Sequence, residues 1–255
     1  MYNLCLYFFM FYCYAIFGWT VECITCSIGQ KKFVHDRGFL IGPYCPIYGY
    51  GAMYMYFFLN RYYHEPITLF VMAVVGTSFL EYITSYLMEK LFNARWWDYS
   101  NERFNLEGRI CLRNAVAFGI LGMAFIYIIN PIFLSIVNKI PHLVLIIISI
   151  ILFISFLIDN ILTFTIMNSL KSKLANVRQD STSDIDKQVR EILSKHTFYI
   201  NKLFKSFPKV KFSFPFGEQL MNSIRETLDN MNTKKKERKK RIKELKHELK
   251  KESKK

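Results

Sequence analysis

Three carboxylates stand inside apolar runs: Glu22, Glu81 and Asp159. A charge at such a place costs a few kcal/mol on insertion scales and usually faces a bundle interior or a cavity. Glu81 has company. Thr77, Glu81, Ser85 and Glu89 recur every four residues, which on a helix makes one polar stripe. Asp159 and Thr163 repeat the pattern more weakly. Groups of this kind suit a substrate or ion path, or a general base tuned by apolar surroundings. Each also has a structural alternative. Glu22 and Glu81 could pair with Arg37, Arg109 or Arg113 inside a bundle. Glu89 could be solvated or ion-paired at an interface. Asp159, beside Asn160, could hydrogen-bond between helices.

The elements that must position these groups follow from composition. The chain has 255 residues, 52% hydrophobic and 17% aromatic, with a formal charge of +14. Residues 171–255 hold 24 of the 34 Lys and Arg but 11 of the 20 Asp and Glu, so the tail carries +13. The expected organisation is an all-α, polytopic membrane helix bundle over residues 1–170 and a basic, largely helical tail over 171–255. About five spans are long enough to cross ~30 Å of hydrocarbon: Leu4–Ile28, Phe39–Leu59, Pro66–Phe92, Asn114–Val137 (kinked at Pro131) and Leu143–Met167. The first is too long for a signal peptide and has no basic flank. Lys31, Lys32 and Arg37 follow the first span. Lys90, Arg95, Arg103, Arg109 and Arg113 follow the third, while the other two loops hold only Arg61 and Lys139. The positive-inside bias then places the N-terminus outside and both basic loops and the tail in the cytosol. Glu22, Glu81 and Asp159 fall roughly 10–15 Å from the cytosolic ends at 1.5 Å per residue.

Residues 37–51 carry four glycines and two prolines in an otherwise apolar stretch. Gly42-Pro43 and Pro46 interrupt helical hydrogen bonding. Non-helical backbone at membrane depth survives only where protein or a watery cavity satisfies it. Arg37, Gly42, Pro43, Cys45, Pro46 and Tyr48 are therefore expected to wall a polar cavity that opens to the cytosol beside Glu22, Glu81, Ser85, Glu89 and Asp159.

The loop after the third span holds Arg95, Trp96, Trp97, Asp98 and Tyr99, then Glu107 and Arg109. The aromatics suit the headgroup level. The arginines could instead bind a phosphate or carboxylate, for which guanidinium is the planar partner. His35 is a lone loop histidine. Cys23-x-x-Cys26 matches a redox motif by spacing alone, and no metal-ligand set accompanies it. In the tail, Ile185, Val189, Ile192, Leu193, Tyr199, Ile200 and Leu203 fall at amphipathic-helix spacing. Pro208, Pro215 and Gly217 end that pattern, and Pro208–Phe216 alternates Lys with Val and Phe. Lys234–Lys255 is dense in Lys, Arg and Glu. Charges so interleaved make nucleic acid an unlikely partner and anionic lipid a better one.

Glu22, the run Arg37-Gly-Phe-Leu-Ile-Gly-Pro-Tyr-Cys-Pro-Ile-Tyr-Gly, Glu81-Tyr82, Glu89-Lys-Leu-Phe, Arg95-Trp-Trp-Asp-Tyr-Ser and Gly108-Arg-Ile-Cys together resemble the CmpB-type ABC-transporter type IV membrane proteins over about residues 10–165. The resemblance implies a transporter permease-like subunit. The sequence has no Gly-x-x-x-x-Gly-Lys-Ser/Thr loop, so a separate ATPase subunit would supply hydrolysis. Five short-looped spans are few for a permease half, which implies a homo-oligomer. Two other readings compete: a membrane-embedded enzyme or lipid-headgroup binder with Glu22 or Glu81 as base, and a scaffold acting through its basic tail. No catalytic residue and no cofactor is named by the residues themselves.

Overall fold

The computed structural model describes residues 1–175, 197–208, 210–212 and 222–230, with single positions near 233–245. Among them four helices are long and apolar enough to cross a membrane: Tyr2–Gln30, Pro66–Phe92, Leu112–Val137 and His142–Ser172. We label the elements in chain order: α1 Tyr2–Gln30, α2 Pro46–Tyr54, α3 Pro66–Phe92, β1 Ala94–Arg95, β2 Asn105–Leu106, β3 Ile110–Cys111, α4 Leu112–Ala124, α5 Asn130–Val137, α6 His142–Ala175, α7 Thr197–Ser206 and β4 Lys211–Phe212. The fold is helical, and its two sheets have two strands each.

The expected second span is not one helix. Residues 31–45 have no helical hydrogen bonds, and α2 starts only at Pro46. The Cys45 amide donates to the Ala15 carbonyl at 3.0 Å. Ala15 is the middle of α1, about 22 Å from the end at Gln30 at 1.5 Å per residue. The chain therefore climbs back beside α1 as irregular backbone. Only then does it form α2, a π turn over Met55–Leu59 and a 3₁₀ turn over Asn60–Tyr62. Pro46 explains the start. A proline without an amide donor is tolerated at the first helical turn and nowhere further in.

Two glycines allow this return. A Cβ on Gly18 would lie 2.2 Å from the Tyr48 ring, and one on Gly49 would lie 2.7 Å from the Phe11 carbonyl oxygen. α1 and α2 thus touch backbone to side chain in both directions, the close approach that small residues permit in membrane bundles.

The expected kink at Pro131 takes the form of a π turn over Phe125–Ile129 between α4 and α5. Pro131 cannot donate back along the helix, and its ring crowds the preceding turn, so the turn widens. The bulge helps seat Asn130, which is buried and accepts from the Tyr14 hydroxyl at 2.9 Å. One core therefore joins Met10 and Tyr14 of α1, Leu59 at the end of the α2 π turn, Leu69 and Ala73 of α3 and Phe125 of the Pro131 bulge.

A second core sits at the end of the bundle where α1 and α3 finish. Phe92, Ala94 and Trp96 pack with Met167 and Leu170 of α6, and with Tyr199, Ile200 and Leu203 of α7. β1 pairs antiparallel with β4, Ala94 opposite Phe212 and Arg95 opposite Lys211. The amphipathic pattern of the tail is met at Tyr199, Ile200 and Leu203; Ile185, Val189, Ile192 and Leu193 lie outside the described residues. The Lys–Val–Phe alternation is met at β4, and most of Lys234–Lys255 also lies outside them.

The Gly49 contact predicts a measurable cost. Because the obstructing atom is backbone, Gly49→Ala should lower stability by about 1–3 kcal/mol, the usual range for overpacking. Thermal unfolding of the purified protein in detergent would measure it, and an unchanged midpoint would contradict the packing.

Candidate functional site

The polar groups of the tail-capped half form three clusters around the irregular stretch.

The first joins α1 to the start of that stretch. The Arg37 guanidinium donates to the Glu22 carboxylate and to the Ser206 carbonyl of α7. The Arg37 carbonyl accepts from the Trp19 indole at 3.2 Å. The Cys45 thiol lies 3.5 Å from the second Glu22 oxygen. Of the structural alternatives for Glu22, the ion pair with Arg37 is the one found.

The second clamps residues 39–42. Asp159 of α6 accepts from the Ile41 amide at 3.0 Å and the Gly42 amide at 2.8 Å, and also from the Tyr44 hydroxyl. Thr163 donates to the same carboxylate at 3.1 Å. From the opposite side, Lys202 of α7 reaches the carbonyls of Leu40, Ile41 and Gly42, the closest two at 2.5 and 2.7 Å. Tyr199 donates to the Phe39 carbonyl at 2.9 Å. An anion thus satisfies the amides and a cation satisfies the carbonyls. Burial pulls the Lys202 ammonium below its ordinary pKa, with Asp159 pulling the other way. Gly42 is required here by space: a Cβ would lie 2.2 Å from the Tyr44 ring and 3.0 Å from Asp159. Pro43 is exposed beyond the clamp.

The third lies along the polar stripe of α3. The loop over residues 94–111 folds back on α3 through a turn in which Glu107 and Gly108 both have positive φ, 52° and 65°, and the Arg109 amide donates to the Leu106 carbonyl at 3.0 Å. That is the tight hairpin geometry that favours glycine at its second central position. It brings Glu107 and Arg109 onto the helix together. Buried Arg109 contacts Glu89 at 2.9 Å, Glu107 at 3.4 Å and the Ser85 hydroxyl at 3.3 Å. Arg95 meets Glu89 at 3.2 Å. Tyr82 donates to Glu107 at 2.7 Å and, with the two arginine contacts, holds that carboxyl below its usual range. Glu89 is therefore ion-paired, as one of its alternatives has it, and both arginines are neutralised by carboxylates.

Glu81 differs from all of these. It is 5% exposed, and the Tyr99 hydroxyl donates to one oxygen at 3.1 Å. The other oxygen is buried with no hydrogen-bond partner among the described residues. Burial pushes the Tyr99 phenol well above its ordinary value, so it stays a donor. Tyr48 of α2, its ring against Gly18, lies within electrostatic reach of both Tyr99 and the Glu22–Arg37 pair.

The site residues read from the sequence thus separate. Glu22, Arg37, Cys45 and Tyr48 gather on the α1 side; Glu81, Ser85, Glu89, Arg95 and Arg109 gather on α3; Gly42 and Asp159 form the clamp. Pro46 only starts α2. The aromatics of this loop are held by protein contacts. Trp96 is 2% exposed in the tail core, and Trp97 donates to the Arg109 carbonyl at 3.0 Å. Asp98 turns to Lys211 of β4 at 2.6 Å. His35 is exposed beside Asp36. Tyr44, Tyr99 and Lys202 were not in the expected set. Lys202 had a signal: it sits at helical spacing between Tyr199 and Ser206 on the apolar face of α7. No group of three or more His, Cys, Asp or Glu able to hold a metal occurs among the described residues.

Apolar helices of spanning length around irregular, cross-braced backbone define a polytopic membrane protein of transporter type. The chain belongs to the family described as "Putative ABC-transporter type IV", whose model matches residues 9–164. No curated protein and no solved structure matches it.

Two outcomes follow from this geometry. Asp159→Ala strands two amides and two hydroxyls at once. It should cost more than about 2 kcal/mol, since bonds to a charged acceptor are worth roughly 1.5–3 kcal/mol each; thermal unfolding would read it. The second concerns pH. Lys211 and Ser100 hold the Asp98 carboxyl well below the usual carboxylate range. Its contribution to tail docking is present above the ordinary carboxylate pKa and lost only as pH falls through the depressed value. Protease nicking near β4 should therefore stay constant from neutral to mildly acid pH and rise only in strong acid. High salt should raise it at any pH, because Lys211 is exposed.

Proposed function

We propose that this chain is the membrane subunit of a multi-chain transporter, with the tail-capped end in the cytosol and the Glu22, Arg37 and Glu81 region as its polar path. The observation that carries the reading is the irregular backbone over residues 37–45, which reaches the level of Ala15 at mid-helix. Discontinuous segments meeting buried charges are where membrane transporters place their binding sites. A helix built only to span lipid gains nothing from such a break.

The sequence has no nucleotide-binding loop, so an ATPase chain of its own would energise transport. In this reading it docks on the cap made by the hairpin over residues 94–111 and α7, the part of the molecule that joins both loops to the tail. A homo-oligomer would double the number of spans. The tail's charge of +13 would hold the cap against anionic lipid, at about 1 kcal/mol per basic residue near the surface.

Tagged full-length protein, extracted from its native membrane in mild detergent, should bring down a nucleotide-hydrolysing chain in fixed proportion. Recovery of the chain alone, monodisperse and free of ATPase activity, would refute the assignment.

A further inference from the structure

We propose that Glu81 is a proton-binding site, occupied at neutral pH, with the Tyr99 hydroxyl as its fixed hydrogen-bond donor.

The carboxylates of this half of the molecule supply the contrast. Glu22 is bound by Arg37, Glu89 is shared by Arg95 and Arg109, and Asp159 takes two amides and two hydroxyls. Glu81 takes one hydroxyl, and its second oxygen is sealed from solvent and unpartnered among the described residues. No salt bridge reaches it among the described residues. Arg109, one helical turn on, is engaged by Ser85, Glu89 and Glu107. On α3 the neighbouring Tyr82 points its hydroxyl to Glu107. On α2, Tyr48 is within electrostatic reach of Tyr99, and on α1 Glu22 is held by Arg37.

Magnitudes decide between the two forms. An uncompensated buried charge, even after relaxation, costs much more than a neutral acid with one unpaired polar atom. Size then decides which cation neutralises it. A metal ion needs several ligands, and among the described residues no group of three or more His, Cys, Asp or Glu stands here. A proton adds no volume and asks for no further ligand. The step is the reversible transfer of one proton from a hydronium ion to the carboxylate: a hydronium O–H bond breaks as the carboxyl O–H bond forms, and water is left.

The inference rests on the location of Glu81 in the proposed path, but not on which substrate or ATPase is involved. The test is infrared spectroscopy of the full chain in lipid nanodiscs, in the C=O region of protonated carboxyl groups. At neutral pH wild-type protein should show such a band. Glu81→Gln should abolish it, Glu22→Gln should leave it, and Tyr99→Phe should shift it by removing the hydrogen bond. Since Gln mimics the neutral acid, Glu81→Gln should also melt at the wild-type temperature. Absence of the band at neutral pH, or its survival in Glu81→Gln, would overturn the proposal. So would a large loss of thermal stability in that variant, which is the mark of a charge with a partner. None of these readouts changes if no ATPase is ever found.

Discussion

Everything at the capped end depends on satisfying the backbone of residues 37–45. Peptide groups inside a protein must be paired, and within the hydrocarbon depth water does not do it. Helices solve the problem internally; this stretch cannot, because Gly42-Pro43 and Pro46 break the ladder. Its partners come from three other places. α1 offers the Ala15 carbonyl and the Trp19 indole, α6 offers Asp159, and α7 offers Lys202 and Tyr199. The choice of charge is chemical. A carboxylate accepts several amides at once, and an ammonium donates to several carbonyls, so two side chains do the work of a missing helical turn. The tail is thereby part of the bundle's hydrogen bonding, not an appendage to it.

The same economy explains the other polar residues. In a bilayer an ionisable group is kept where something compensates it. Arg37 and Arg109 each answer a carboxylate and also tie a loop to a helix. The hairpin turn at Glu107-Gly108 is what delivers Arg109 to α3. Against this background of completed pairs, Glu81 stands apart: it takes one hydroxyl, and its second oxygen is buried without a partner among the described residues.

How much of this was legible in sequence follows from the range of each interaction. Hydrophobic runs are local, so α1, α3, the α4–α5 span and α6 could be read directly. The polar stripe from Thr77 to Glu89 was legible for the same reason, since helical spacing is a local property. The break in the second span was legible from Gly42-Pro43 and Pro46, but its path was not, because that is set by Asp159 and Lys202, more than a hundred residues away. Pairings across such distances leave no local pattern. Trp96 shows the same limit: what buries it is α7 and Phe207, which the loop's own sequence cannot announce. The role of Glu89 as a shared ion-pair partner likewise required the turn that returns Arg109 to it.

The central claim is that the tail holds irregular backbone inside the bundle. Hydrogen exchange over residues 36–45, in full-length protein and in a chain truncated after residue 175, tests it most directly. The structure predicts slow exchange in the full chain, because Asp159 caps the Ile41 and Gly42 amides in a segment that Lys202 and Tyr199 pin. It predicts a marked acceleration on truncation. Fast exchange in the full chain, or protection that survives loss of α7 unchanged, would contradict it.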